Sequence, residues 1–117
     1  MNWLLIFALF FLAACQPASL SDLRVEAAAE MRKAATLLHR VDTRDQLGEV
    51  LPELQRTFTR LAKLALKARE LDDAPFEESP TPSSDALFAE LARLYEMPGC
   101  RALIESAQSE AKALLRR

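Results

Sequence analysis

This sequence predicts an all-α fold, a small antiparallel helical bundle built from a helical hairpin and a broken third helix. Three observations carry that expectation. Beyond residue 14 there are only three Val, one Ile and two Gly among abundant Ala, Leu, Glu, Arg and Lys, a helix-forming composition. Apolar residues recur at spacings of three and four rather than two. Proline, glycine and Ser/Thr/Asp punctuation divides these periodic stretches into segments of helix length.

The elements come in order along the chain. Ser19 or Ser21 can cap a first helix, in which Leu20, Ala27, Met31, Ala34, Leu38 and Val41 form one apolar stripe reaching to about Val41. In "VDTRDQ", Thr43 with Gln46 three residues on has the form of a capping box, and a second helix is expected from about Arg44. Its seam, Leu47, Leu51, Leu54, Phe58, Leu61, Ala65 and Ala68, steps by 4, 3, 4, 3, 4, 3. Pro52 lacks an N–H and its ring crowds the Gly48 carbonyl, which predicts either a kink or a short helix before a longer one beginning near Pro52. Either way the short turn sends the second helix back along the first.

The stretch "LDDAPFEESPTPSSD" has three prolines, five acidic residues and no stripe, and reads as a loop. Ser83 or Ser84 can cap a third helix from Asp85 to about Met97, with Leu87, Leu91 and Leu94 inward and Phe88 and Tyr95 widening the stripe. "EMPGC" breaks it, Pro98 suiting the first turn of a last helix. That helix carries Cys100, Leu103, Ile104, Ala107, Ala111 and Leu114 on one face, and Arg116 and Arg117 suit the negative end of its dipole.

The N-terminus is of another kind. Trp3 to Ala14 is an uncharged run of twelve residues, too short for a span, which needs roughly 20 apolar residues. It has no polar face, as a packed helix would, and it matches the length of a secretory apolar region. It closes on Leu12-Ala13-Ala14-Cys15, which resembles the bacterial lipoprotein signal, in which an aliphatic and two small residues precede a cysteine. That resemblance implies diacylglyceryl transfer to the Cys15 thiol, cleavage after Ala14 and acylation of the new amine. Met1-Asn2 departs from the pattern in carrying no Lys or Arg, and an ordinary signal peptide followed by chance by Cys is the alternative reading. Gln16 in place of Asp after the cysteine suggests, by the same resemblance, outer-membrane sorting with the domain facing the periplasm. The expected organisation is a signal peptide over residues 1–14, a short tether over 15–19 and a helical domain over 20–117. Gln16 to Ser19 reaches at most about 14 Å, so the domain is expected close to the bilayer.

Cys15 to Arg117 spans 103 residues and holds all fifteen basic and all seventeen acidic groups. This near-neutral, single-domain length gives no reason to expect nucleic acid as a partner. With Cys15 committed to lipid, Cys100 has no partner in the chain and is expected to be buried.

Little in the sequence points to catalysis. No Gly-x-Ser-x-Gly, Walker loop, His-Glu-x-x-His or Cys-x-x-Cys-His occurs, and the carboxylate pairs Asp72-Asp73 and Glu77-Glu78 lie in a proline-rich loop with no apolar wall to raise a pKa. His39, the single histidine, has Thr36 where a di-iron pattern needs Glu, and with Asp42 one turn on it reads as a helix-end or surface residue. No enzyme, cofactor or metal is expected. One charge pattern stands out. Arg56, Arg60, Lys63 and Lys67 fall on one helical face with no acid from Leu54 to Ala68. They either pair with Glu26 and Glu30 on the facing helix, or form a contact surface for anionic lipid or an acidic partner.

Short tether and heptads also resemble the murein-linked lipoprotein of the outer membrane, but that family ends in a Lys used for attachment to peptidoglycan, and Arg117 stands at that place here. Gly48, Pro52 and Pro98 further oppose one continuous coiled coil. The expectation is a lipid-anchored, non-enzymatic envelope lipoprotein that binds an unknown protein partner, with self-association through the heptad faces as the alternative.

Overall fold

The computed structural model describes residues 19–71 and 81–116 of the chain. They form four helices, α1 (Leu20–His39), α2 (Arg44–Leu71), α3 (Pro82–Tyr95) and α4 (Cys100–Leu115). There is no strand among the described residues, and the helices pack as an all-α bundle.

Ser19 caps α1, its hydroxyl accepting from the Asp22 N–H at 3.4 Å and its carbonyl from Asp22 and Leu23. Ala34 and Leu38 of the predicted stripe are buried and Ala27 and Met31 half-buried, with Leu23 and Ala35 added to the packed face. The helix stops two residues earlier than the stripe suggests. Val41 is buried in the turn itself, its N–H bonding to Leu38 O. The capping box then forms as its spacing predicts. The Gln46 N–H donates to Thr43 Oγ1 at 3.2 Å, while Gln46 Oε1 accepts from Thr43 N at 3.2 Å and Asp42 N at 2.7 Å.

α2 runs unbroken for 28 residues through Pro52, so no separate short helix precedes it. Both Pro52 and Gly48 are exposed, and nothing lies within 4 Å of a Cβ built on Gly48. The carbonyl that Pro52 leaves without a donor therefore opens to solvent rather than into the core. Leu47, Leu54, Phe58 and Ala68 of the seam are buried and Leu51, Leu61 and Ala65 half-buried. Thr57 joins them, its hydroxyl satisfied by the Glu53 carbonyl at 3.1 Å.

The third helix starts earlier than expected. Its cap is Thr81, not Ser83 or Ser84: Pro82 occupies the first turn and Ser84 is the reciprocal member of a capping box with Thr81, accepting from Thr81 N at 2.9 Å. A cap further on would have left Pro82 without that favourable place. Ser83, instead of capping, is buried and accepts from Arg32 at 3.2 Å. Residues 72–80 of the predicted loop lie outside the described residues.

The two halves of the broken third helix pack along the hairpin. Arg32 reaches Ser83, and Arg93 reaches Leu38 and Val41, so α3 runs parallel to α1. Gln55 pairs with Glu110 and Arg69 with the Leu115 carbonyl, so α4 runs parallel to α2. Each half follows one arm. The corner between them, Met97-Pro98-Gly99, sits at the α1–α2 turn, with Gly99 at φ +80 against the Arg44 side chain. Pro98 therefore belongs to the corner and Gly99 to the N-cap of α4, rather than Pro98 to its first turn. Packing is most extensive between α2 and α4, α1 touches both α2 and α3, and α3 and α4 barely meet.

That last gap explains one overturned expectation. Phe88 does not widen the buried stripe; it is 58% exposed, because no helix among the described residues covers that side of α3. Tyr95 is half-buried beneath Arg101, whose guanidinium lies 5.0 Å from the ring centre. The fully buried residues, Leu38, Val41, Leu47, Leu54, Leu94, Cys100 and Ile104, gather from all four helices toward the corner. Each large aliphatic contributes about 1.5–3 kcal/mol by leaving water.

Candidate functional site

Leu12, Ala13, Ala14 and Cys15 lie outside the described residues. The cap of α1, Ser19, is four positions after Cys15. α1 then carries the chain away from that point, and α2 returns toward it.

Arg56, Arg60, Lys63 and Lys67 are all exposed along α2. Antiparallel packing brings the acidic half of α1 opposite this stripe, and Arg60 Nη1 stands 3.5 Å from Glu30 Oε1. Glu30 is held on that one side; its Oε2 is enclosed without a hydrogen-bond partner. No ion pair joins Arg56, Lys63 or Lys67 to another described residue, and Glu26 is likewise unpaired among them. Pairing with the facing helix thus accounts for one cation of the four, and the other three face solvent.

A second cationic surface adjoins this one, six of its residues lying on α1 or its C-cap and one on α2. Ala29, Arg32, Lys33, Thr36, Leu37 and Arg40 line one face of α1, and Glu53 of α2 closes the side, enclosing an open groove of about 640 Å³. Their steps of three and four residues place them on one continuous strip of the helix. Arg32 is steered by its bond to Ser83.

His39 is exposed, as its helix-end position suggests, but its partner is not Asp42. His39 Nδ1 lies 2.8 Å from Glu90 Oε1 on α3. Arg93 completes the cluster, donating through Nε to Glu90 Oε2 at 3.1 Å and through Nη1 and Nη2 to the Val41 and Leu38 carbonyls, each at 2.9 Å. The bond to His39 holds the Glu90 carboxyl below its ordinary range against a desolvation that opposes the shift, and the hydrogen bonds and charge of Arg93 add to the lowering. Arg93 thus adds a further donor to Leu38 O, which already accepts the Val41 N–H, and supplies one to Val41 O in the turn; the cross-helix partners of the cluster stand 51 to 55 positions apart in the chain. Their geometry is that of a helix cap rather than a reaction centre.

Cys100 is fully buried at the start of α4. Among the described residues no three His, Cys, Asp or Glu converge to hold a metal ion, and no helix is long and apolar enough to cross a membrane. No protein-family model matches the chain, and comparison with curated proteins and with solved structures finds no match.

Proposed function

We propose that this protein is a bacterial envelope lipoprotein, anchored through lipid on Cys15, that acts by binding an envelope partner rather than by catalysis. The observation that carries the reading is the closeness of the Ser19 helix cap to the lipoprotein-like motif, four positions after Cys15. Among the described residues the apolar face of α1 is covered by α2 and α3. An address removed after export fits that arrangement. Two or more acyl chains on one cysteine give stable anchoring where a single chain gives marginal binding.

Binding, not chemistry, is supported by what the surface offers: cationic strips on α1 and α2 and a shallow open groove. Self-association through the heptad seams is the weaker reading, because Leu47, Leu54, Phe58 and Ala34 are already buried against their own chain. The decisive measurement is the intact mass of the protein purified from its native envelope. A polypeptide starting at Cys15 with diacylglycerol and an amide-linked acyl chain is expected; a product starting at Met1, or a free thiol at position 15, overturns the proposal.

A further inference from the structure

We propose that the outer face of α1 from Ala29 to Arg40 is the docking surface for an acidic polypeptide segment that also carries apolar side chains. The claim deepens the binding-module reading, on which it rests, and names the partner's chemistry.

The groove presents Arg32, Lys33 and Arg40 around a floor that includes Ala29 and Leu37, with Glu53 its single acid. None of these four charges forms an ion pair with another described residue. The register of the hairpin adds a fifth charge. Glu30 meets Arg60, and Leu37 shares the groove with Glu53, so residue numbers across the pair sum to about 90 and Arg56 falls opposite Lys33. The same register sets Glu49 opposite Arg40, so four cations and two acids surround these small and apolar residues, in a chain whose overall charge is −2. The excess is local and positive, which complements carboxylates.

Length and spread select the kind of anion. Ala29 to Arg40 covers about 16 Å of helix, with the charges strung along it rather than converging on one point. A lone phosphate needs converging donors, whereas an extended or helical acidic segment meets charges in series while its apolar side chains reach Ala29 and Leu37. A bilayer is a poorer fit. Arg40 stands about 30 Å along α1 from Leu20, and a membrane held near the tether reaches the whole strip only if the bundle lies flat.

The test uses the full lipidated chain in zwitterionic detergent and, as probe, a short fluorescein-labelled helical peptide with glutamates flanking leucines, read by anisotropy. Binding that weakens with salt is expected, falling at least about tenfold in Lys33→Glu/Arg40→Glu and less in Lys33→Gln/Arg40→Gln, with Lys112→Glu on α4 as an unaffected control. No binding, or equal binding by the double reversal, overturns the proposal. So does displacement of the peptide by phosphatidylglycerol vesicles through the same residues, which would assign the face to lipid. Because the assay takes place in micelles, a failure here leaves the envelope mass measurement standing, and the reverse holds too.

Discussion

The Arg93 guanidinium donates to the Leu38 carbonyl at 2.9 Å, so the C-terminus of α1 is closed by a side chain that belongs to α3. The same group reaches Val41 O at 2.9 Å and Glu90 on its own helix. A parallel arrangement recurs at the other pole, where Arg69 of α2 donates to the last carbonyl of α4, Leu115 O, at 3.4 Å. Cations at helix C-termini also meet the negative end of the dipole.

Arg93→Met keeps the aliphatic stem and removes the donors. It is expected to destabilise the fold by about 2 kcal/mol, the order of one hydrogen bond from a charged donor, since Val41 O loses its donor while Leu38 O keeps the Val41 N–H. Urea unfolding followed by far-UV circular dichroism measures this, and an unchanged midpoint would contradict the capping role.

Acid should weaken the same junction. The folded-state pKa of Glu90 is depressed, chiefly by its bond to His39, so its contribution is present above the ordinary glutamate range and is lost as the pH falls through the lowered value. Stability measured between neutral and strongly acid pH should therefore drop less steeply in Glu90→Gln than in the wild type. Parallel curves for the two proteins would refute the linkage.

Ile104 is completely buried beneath the corner. Ile104→Ala should cost about 3 kcal/mol, the transfer loss plus an incompletely collapsed cavity, and thermal unfolding would report it.

Pro52→Ala should run the other way. Pro52 is exposed inside a continuous helix, and Ala restores both a donor and helix propensity, a gain of up to about 3 kcal/mol. A fall in melting temperature would mean that the proline shapes a contact not apparent from its exposure.

Gly99→Ala tests the corner. At φ +80 an L-residue costs roughly 1–2 kcal/mol, and the new Cβ would stand 2.8 Å from Arg44 Nε. Arg44 is long and can move, so the backbone term should dominate, and Arg44→Ala in the same chain should recover only a small part of the loss.

The pattern of agreement has a physical basis. Thr43 and Gln46 form their capping box because both partners lie within one turn, and the seams of α1, α2 and α4 are buried because periodicity records one-sided burial. Local alternatives are ambiguous where several good caps stand together: Thr81 prevails over Ser83 and Ser84 because Pro82 fits the first turn. What periodicity does not contain is which neighbour covers a stripe. Phe88 has the right spacing for burial and is exposed because α3 and α4 diverge. For the same reason the Arg93 cap and the Glu90 and His39 pair carry no local signature; each needs residues from different helices. Of the predicted basic stripe, exposure is legible, and the Glu30 contact of Arg60 is one of the two alternatives that its spacing allows.

The corner at Gly99 bears on where reporters can be placed. It shares one pole with the hairpin turn, while Ser19 and Leu115 both emerge toward the opposite pole. A dye introduced at Pro98 and one introduced beyond Leu115 would stand about 24 Å apart along α4, enough for energy transfer to an acceptor-doped lipid layer to tell an upright molecule from a recumbent one.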